Sequence, residues 1–561
     1  MPEEKVAIAK PIVKVGGSTL SPSAMNNLVE ITVDSSLDVP DMFVLYFHDD
    51  KYELMDDSKF DLGKEVEIGF VDENTRTPVT VMKGEIVGIE PHYDEEMNAW
   101  LTIRGYDKRH RLNLGTKVET YLNQKDSDIV NMICGAVGVP CDVEATSTIH
   151  KYVIQHNQTD LEFLQERAYR NGYELAYEDN KLKFRKPVAG KVIELTRGKE
   201  LRSFTPRLSA AGQVNEVTVK SWDPAQKKEV IGKATTSNAH PSIGYGKWGG
   251  AAAQSAFKAS TYTEVRQNVG TPGEAETLAK SILDDINANF IEAEGMTFGN
   301  PNIRAGVTVN LKNLGQRFSG SYKVTSATHI YNDEGYNTIF RIEGKKPNSI
   351  ASLTQTVGSD GRWIGVVPAI VTNNQDPDNQ GRVKVKFPWL DDTKESNWAR
   401  LCLLGAGNER GIWWMPEVND EVLVTFVNGD FDYPIILGGL NNGQDKTVEP
   451  QTNTVKNGKV VRRTIKTRLG HVIRFVDDDS EKYIEIIDSQ GTQIKLDAQS
   501  KELLINGQGD VKLDSKGNVK VKATGNIDVE SSANVTIKGT GNVTIQASGQ
   551  LVLKGAQVAI N

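Results

Sequence analysis

Residues 503 to 553 repeat with a period of eight, and no other feature of this 561-residue chain restricts its fold as strongly. Leu503, Val511, Val519, Ile527, Val535, Val543 and Leu551 form one apolar column. Ile505, Leu513, Val521, Val529, Ile537, Ile545 and Leu553 form a second. One residue separates the columns within each octad, so in a β-strand both side chains leave the same face while the Lys, Thr or Asp between them faces water. Ahead of the strand stands Gly517-Asn518, Gly525-Asn526, Ala533-Asn534 or Gly541-Asn542, residue types that tolerate the left-handed backbone of a tight corner. Strand, corner and strand follow without a break, which predicts a β-solenoid.

How many chains build it follows from burial. One chain closing a triangular coil alone would use three octads per turn, and seven octads would then give fewer than the roughly three coils a solenoid needs. Three chains wound about one axis bring every column to a shared centre. With each columnar side chain worth ~1.5–3 kcal/mol on full burial, the gain is on the order of tens of kcal/mol per chain before conformational entropy is subtracted. The expectation is an intertwined homotrimeric β-helix with these fourteen residues as its core. The rival is a single-chain β-solenoid that binds carbohydrate.

A chain this long holds three or four domains, and its 50 Gly and many strand formers suggest a mainly β protein. The net charge of −9, with both signs mixed, supplies no basic field for nucleic acid. Three cysteines (Cys134, Cys141 and Cys402) are too few for a disulfide framework and are expected as small core residues. Met1-Pro-Glu-Glu-Lys5 has acids where a signal peptide carries bases, and nowhere do about 18 apolar residues run together. Synthesis in the cytoplasm without a signal peptide is expected.

From Asn27 to Arg111, strands are predicted at Val29–Val33, Met42–Tyr46, Val66–Phe70, Val79–Ile89 and Trp100–Ile103, as a small barrel. Ser127–Val137 reads as a short helix. Thr159-Asp-Leu-Glu162 is a capping box that opens a second helix, Leu161–Arg170, stopped by Asn171-Gly172. A hairpin from Tyr173 to Phe184 turns at Asp179-Asn180. Strands at Val214–Val219 and across Val307–Ile342, with a helix at Glu274–Phe290, suggest a second, interrupted barrel. Ile231–Ser260, rich in Gly, Ala, Ser and Thr, reads as a long excursion or partly mobile loop.

Several motifs resemble the hub proteins of phage tails and the VgrG-type spikes of contractile injection systems: Ser36-Leu-Asp-Val-Pro-Asp-Met42, Arg104-Gly-Tyr-Asp-Lys-Arg-His110, Gln158-Thr-Asp-Leu-Glu-Phe-Leu164 with Gly172-Tyr173, and Phe318-Ser-Gly-Ser-Tyr322 before His329. Between 361 and 442 the likeness is to that family's OB domain. It is carried by Asn374-Gln-Asp-Pro377, Gly381-Arg-Val-Lys-Val-Lys-Phe-Pro-Trp-Leu390, Glu395-Ser-Asn-Trp-Ala-Arg400 and Pro416-Glu-Val-Asn-Asp-Glu-Val-Leu-Val424. From its residues alone this stretch is a set of short strands with Gly and Pro corners, as a small Greek-key barrel needs. Trp389, Trp398, Trp413 and Trp414 could stack single-stranded bases; without a basic groove they are expected as core or subunit contacts. Arg468–Phe475 and Tyr483–Ile487 resemble the strands that lead into the family's β-helix.

The resulting division is a hub of two β-barrels with helical insertions at 1–350, an OB barrel at 351–445, a polar linker at 446–467 and the trimeric β-helix at 468–561. The resemblance implies a central spike and hub of a phage-tail-like particle, released outside the cell. Its implied partners are inner-tube and baseplate proteins, cargo effectors, a target membrane crossed mechanically, and a PAAR-type tip protein at Ile560 and Asn561. A cell-anchored type VI secretion or phage baseplate spike is the alternative. A β-helix carbohydrate-active enzyme or an adhesin would be the alternative of another class. No catalytic, cofactor or metal site is expected: the eight His are scattered, no nucleophile elbow, Walker loop or HExxH occurs, and His150 and His156 read as surface or hydrogen-bonded residues. Gly244-Tyr-Gly-Lys-Trp-Gly249 has glycines but is read as lacking the following apolar helix of a phosphate cradle, and Asp477-Asp-Asp479 is read as a solvated corner.

Overall fold

The computed structural model describes residues 10–72, 75–237, 239–258, 260–265, 267–344, 363 and 365–560. The N-terminal pentapeptide, the 350/351 boundary and Asn561 lie outside them. The chain divides into two compact units, Met1–Asp445 and Lys446–Asn561.

The first unit is mainly β. Its largest sheet has eleven strands, and the pairing of Ser326–Asn332 with Leu28–Ser36 joins a group of four to a group of seven. On one side of that seam follow Met42–His48, Ala99–Tyr106, Pro78–Tyr93, Glu65–Val71, Pro11–Val15 and Ser18–Thr19. On the other follow Gly335–Ile342, Ile291–Phe298 and Leu201–Leu208. Alternation explains each strand: in Met42–His48, Phe43, Leu45 and Phe47 are buried and their neighbours are not. Each half wraps a core of its own, one centred on Phe43, Leu45, Phe47, Ile68 and Phe70, the other on Phe290, Val309, Leu311, Tyr322 and Phe340. The two β-lobes therefore keep separate interiors within a shared sheet.

The helical insertions obey their local signals. Thr159 caps Asp160–Asn171 with both halves of the box formed, and Gly172 ends it at φ 65°, where a side chain would strain the backbone. The hairpin of Glu174–Glu178 with Lys181–Arg185 turns on Asp179 and Asn180, both at positive φ, which matches the twist of its strands.

Two expectations are corrected here. The strand predicted at Val214–Val219 is Glu216–Asp223, and it belongs to a separate three-stranded sheet with Lys228–Ala234 and Thr261–Glu264. The helix Pro272–Ala288 packs on that sheet through Val217, Val219, Ala275, Leu278 and Ile282. The close approach requires Gly232, where a Cβ would lie 2.1 Å from the Ala275 backbone. The excursion at 231–260 is largely built: it carries the helix Gly249–Phe257, directly after the glycine-containing motif read as lacking one. Small residues, Ala252 and Ala253 among them, let that helix sit close, and Asn287 accepts the Gly249 amide at 2.8 Å.

Residues 367–440 form a six-stranded sheet around Val371, Val383, Val385, Val422, Val424 and Phe431. The hub contributes Tyr152 and Ile154 to this core. The Tyr152 hydroxyl donates to the Glu395 carbonyl at 2.9 Å, and the Ile154 amide to the Asp432 carboxylate at 3.1 Å.

In the second unit, the stretch expected as a linker at 446–467 is folded. It holds a helical turn at Gln451–Thr454, a short hairpin, and Arg462–Lys466, the first strand of an antiparallel meander completed by Val472–Asp477, Lys482–Ile487, Gln493–Asp497 and Glu502–Asn506. The Asp477–Asp479 corner is only partly solvated: Asp478 is buried, bonded to the Ser480 amide and hydroxyl and paired with Lys456.

Candidate assembly interface

Alternation across the meander sorts its side chains into two unlike faces. Phe475, Ile484, Leu496 and Leu503 stand opposite one another in one row, and Ile465, Ile473, Ile486, Ile494 and Ile505 in a second. All nine lie on one face and are 39–62% exposed. The other face carries a polar network: Arg474 bridges Glu449 and Glu485 at 2.7 Å each, Gln493 donates to Glu485 at 2.8 Å, and Val472 and Val476 beside it are buried. Burial would raise the Glu449 carboxyl, but hydrogen bonds from Thr464 and Arg474 hold it below the usual carboxylate range. One face thus has polar partners within the chain, and the nine apolar residues of the other have no cover among the described residues.

The last strand, Glu502–Asn506, is also the first octad strand, so the two rows run on into the two columns. Beyond it, described residues 507–560 contain no strand and no intrachain ladder. The fourteen columnar residues are 52–80% exposed, and Ile560 is 85% exposed. A contiguous apolar surface of this extent is what a protein covers with another molecule. The left-handed corners expected at the Gly-Asn pairs are absent: none of Gly517, Asn518, Gly525, Asn526, Ala533, Asn534, Gly541 and Asn542 has positive φ. At two corners a serine hydroxyl, Ser515 or Ser531, accepts the amide two residues on instead.

The OB tryptophans are not core residues. Trp389, Trp413 and Trp414 are 43–62% exposed. Trp389 is tethered by its Nε1–H to the Pro368 carbonyl at 2.9 Å. Arg382 and Lys384 lie over Trp398, and both cations are matched by carboxylates, Arg382 by Asp376 and Asp378 and Lys384 by Glu395.

Within the hub, two of the resemblance motifs meet around one buried cation. Arg109 is held by Asp107 at 2.7 Å and Asp41 at 2.8 Å, and it donates to the Ser36 carbonyl. Burial opposes the Arg109 charge, and the two carboxylates restore it, raising its pKa above the usual value. Sequence spacing carried no sign that the two motifs meet, because Asp41 lies more than 60 residues from Asp107 and Arg109 in the chain. A second buried cluster joins Asp126 to Arg167 and to His150, the latter at 3.0 Å. Against the push of burial, Arg167 and His150 hold the Asp126 carboxyl well below the usual carboxylate range. His156 stacks on Phe431 of the OB core at 4.4 Å. Among the described residues, no group of three or more His, Cys, Asp and Glu is placed to hold a metal ion, and no helix is long and apolar enough to cross a membrane.

Comparisons with known proteins agree with these parts. The profile described as the Alg8 N-terminal domain matches residues 6–333, and that of the type VI secretion system/phage-baseplate injector OB domain matches 367–440. The type VI secretion system spike protein VgrG3 of Vibrio cholerae is 48% identical over 65 residues, 11% of this chain and 6% of that protein. VgrG1a of Pseudomonas aeruginosa, another type VI spike protein, is 36% identical over 86 residues, 14% of this chain and 13% of its own length. The matched parts thus span a small fraction of these curated relatives. In structure, a chain of the Francisella PdpA-VgrG complex superposes with a TM-score of 0.52 at 8% identity, covering 89% of this chain and 88% of that one, which is a likeness of fold.

Proposed function

We propose that this chain, which belongs to the family of the Alg8 N-terminal domain, is the structural hub and spike of a contractile phage-tail-like injection system. In this reading it works as a homotrimer that caps the inner tube and is driven through a target membrane when the sheath contracts. The observation that carries the proposal is the continuous apolar surface of the second unit, a nine-residue sheet face running on into the two columns, which has no cover among the described residues. The injector OB domain at 367–440 supports the same reading. The sheath supplies the work, so the spike needs stiffness, which interchain backbone hydrogen bonds along the octads would supply. A PAAR-type tip protein would sit at Ile560 and Asn561, and inner-tube, baseplate and cargo proteins would be its other partners. No catalytic step is assigned to it.

Sedimentation equilibrium tests the core of the proposal. A mass three times the 61.8 kDa of the chain is expected, and a stable, fully folded monomer would overturn it. Negative-stain images should then show a three-fold body with a thin shaft. A second reading, the spike of a cell-anchored type VI system, is favoured by the likeness to the type VI spike proteins of Vibrio and Pseudomonas. Recovery of the chain in sheathed particles from cell-free medium would favour the released particle, and retention in cell envelopes the type VI apparatus.

A further inference from the structure

A repeat of identical length along three strands buries surface but carries little information about alignment. If one chain of a trimer slips by eight residues, Val and Ile columns meet Val and Ile columns again, and only the two ends lose contacts. Strand register is weakly specified wherever the pattern maps onto itself in this way. A needle of octads therefore needs a non-repeating element to decide which octad of each chain stands beside which.

The meander Arg462–Asn506 has the properties required. Its backbone ladder is complete within one chain, so its apolar face exists before any partner arrives and costs little ordering entropy on association. The octads beyond residue 506 have no such ladder among the described residues. The face maps onto itself only in part under an eight-residue shift: Ile465 falls on Ile473 and Ile486 on Ile494, but eight on from Phe475 is Tyr483, which pairs with Val476 in a row outside the two apolar ones, and eight on from Ile484 is Thr492, which precedes the next strand. Its last strand supplies Leu503 and Ile505, the first members of both columns, so whatever covers the columns continues onto the face. Charge on the opposite face is already paired within the chain, Glu449 with Arg462 and Arg474 and Glu485 with Arg474, which leaves the apolar face to be covered.

We infer that this sheet face is the register-setting seat of the assembly, covered by the same face of two further copies of this chain, and that it aligns the three chains before the octads pair toward residue 560. The inference rests on the trimer reading above.

The test uses nitroxide labels and pulsed electron paramagnetic resonance in a Cys141→Ser/Cys402→Ser background, with Cys134 buried and unreactive. Full-length chains are co-refolded with chains lacking residues 519–526, labelled at Lys512→Cys or Thr536→Cys, one on each side of the deletion. If the sheet sets register, mixed trimers keep the full-length distance at Lys512→Cys and shift it at Thr536→Cys. The reverse pattern, or the absence of mixed trimers, overturns the inference, because the needle would then decide which chains match. In full-length chains, Ile484→Ser/Ile486→Ser should split the single distance at Thr536→Cys into several. Loss of the trimer, with the first unit melting at its parental temperature, also counts for the face, and an unchanged single distance overturns its role. A parental chain that sediments as a monomer would sink the trimer reading itself; an intact trimer whose register is set elsewhere sinks this inference alone.

Discussion

The strand Glu421–Phe426 of the OB domain and the octad strands read alike: Val422-Leu-Val-Thr-Phe426 and Val535-Thr-Ile537 both place β-branched or aromatic residues at every second position. Yet Val422 and Val424 are 0% exposed, whereas Val535 and Ile537 are 57% and 73% exposed. The local code is the same, and what differs is the supply of neighbours. Val422–Phe426 lies between two strands of its own chain, so its ladder and its apolar side are both satisfied. Only the first octad strand, Glu502–Asn506, pairs within the chain, along Gln493–Asp497; the described octads after it form no ladder, and their backbone groups stay open. An alternating pattern specifies a strand, and burial has to come from topology or from other chains.

The comparison breaks most severely if the columns prove indifferent to charge. Val529→Asp would place an unpaired carboxylate at one level of the shared core in each of three chains, at several kcal/mol apiece; loss of the trimer in sedimentation is expected. Its partner control, Thr536→Asp on the outward side, should change stability by less than about 0.5 kcal/mol.

The first unit, by contrast, should respond through its own stability and not through assembly. Arg109→Ala leaves Asp41 and Asp107 buried without their cation, and breaking such a pair costs about 3–5 kcal/mol. The denaturant midpoint of this unit should fall, while chains that still fold sediment like the parent. An equal loss of trimer would erase the distinction between the two regions.

A pH titration sharpens the same point. Burial holds the His329 imidazole down to about 4, against 6.5 in an unfolded chain, because the protonated ring cannot be solvated between Tyr336 and Thr338. The unfolded state therefore binds the extra proton first, and stability should be constant above about pH 6.5 and fall by about 3 kcal/mol as pH drops toward 4. His329→Gln should flatten that slope in pH-dependent unfolding. The octads carry no histidine, so their contribution should lack this slope. The smallest effect is expected at the capping box, where Thr159→Ala should lower the thermal midpoint by the equivalent of about 1 kcal/mol.

Local signals were the legible part of the chain. The Thr159–Glu162 box, the Asp179-Asn180 turn and the alternation of Met42–His48 act over a few residues, and each appears where its pattern stands. The built helix at 249–257 was illegible because small residues look like a loop until the surface they pack against is known. The meander's first strand was hidden by its charge: Arg462-Arg-Thr-Ile-Lys466 carries a single apolar residue, Ile465, on the exposed face. The assembly surface was legible as a rhythm, but its upstream half, the nine-residue sheet face, emerged only from strand pairing.

By itself the sequence determined which residues alternate, the Thr159 cap and the Asp179-Asn180 turn, and that fourteen apolar side chains stand in two columns, since these depend on chemistry within a few residues. Only the tertiary structure decided that Asp41, Asp107 and Arg109 close one clamp, that two lobes share a sheet, and that the meander's rows run on into the columns. Those contacts join residues far apart in the chain, and their free energy depends on geometry that composition and spacing do not contain.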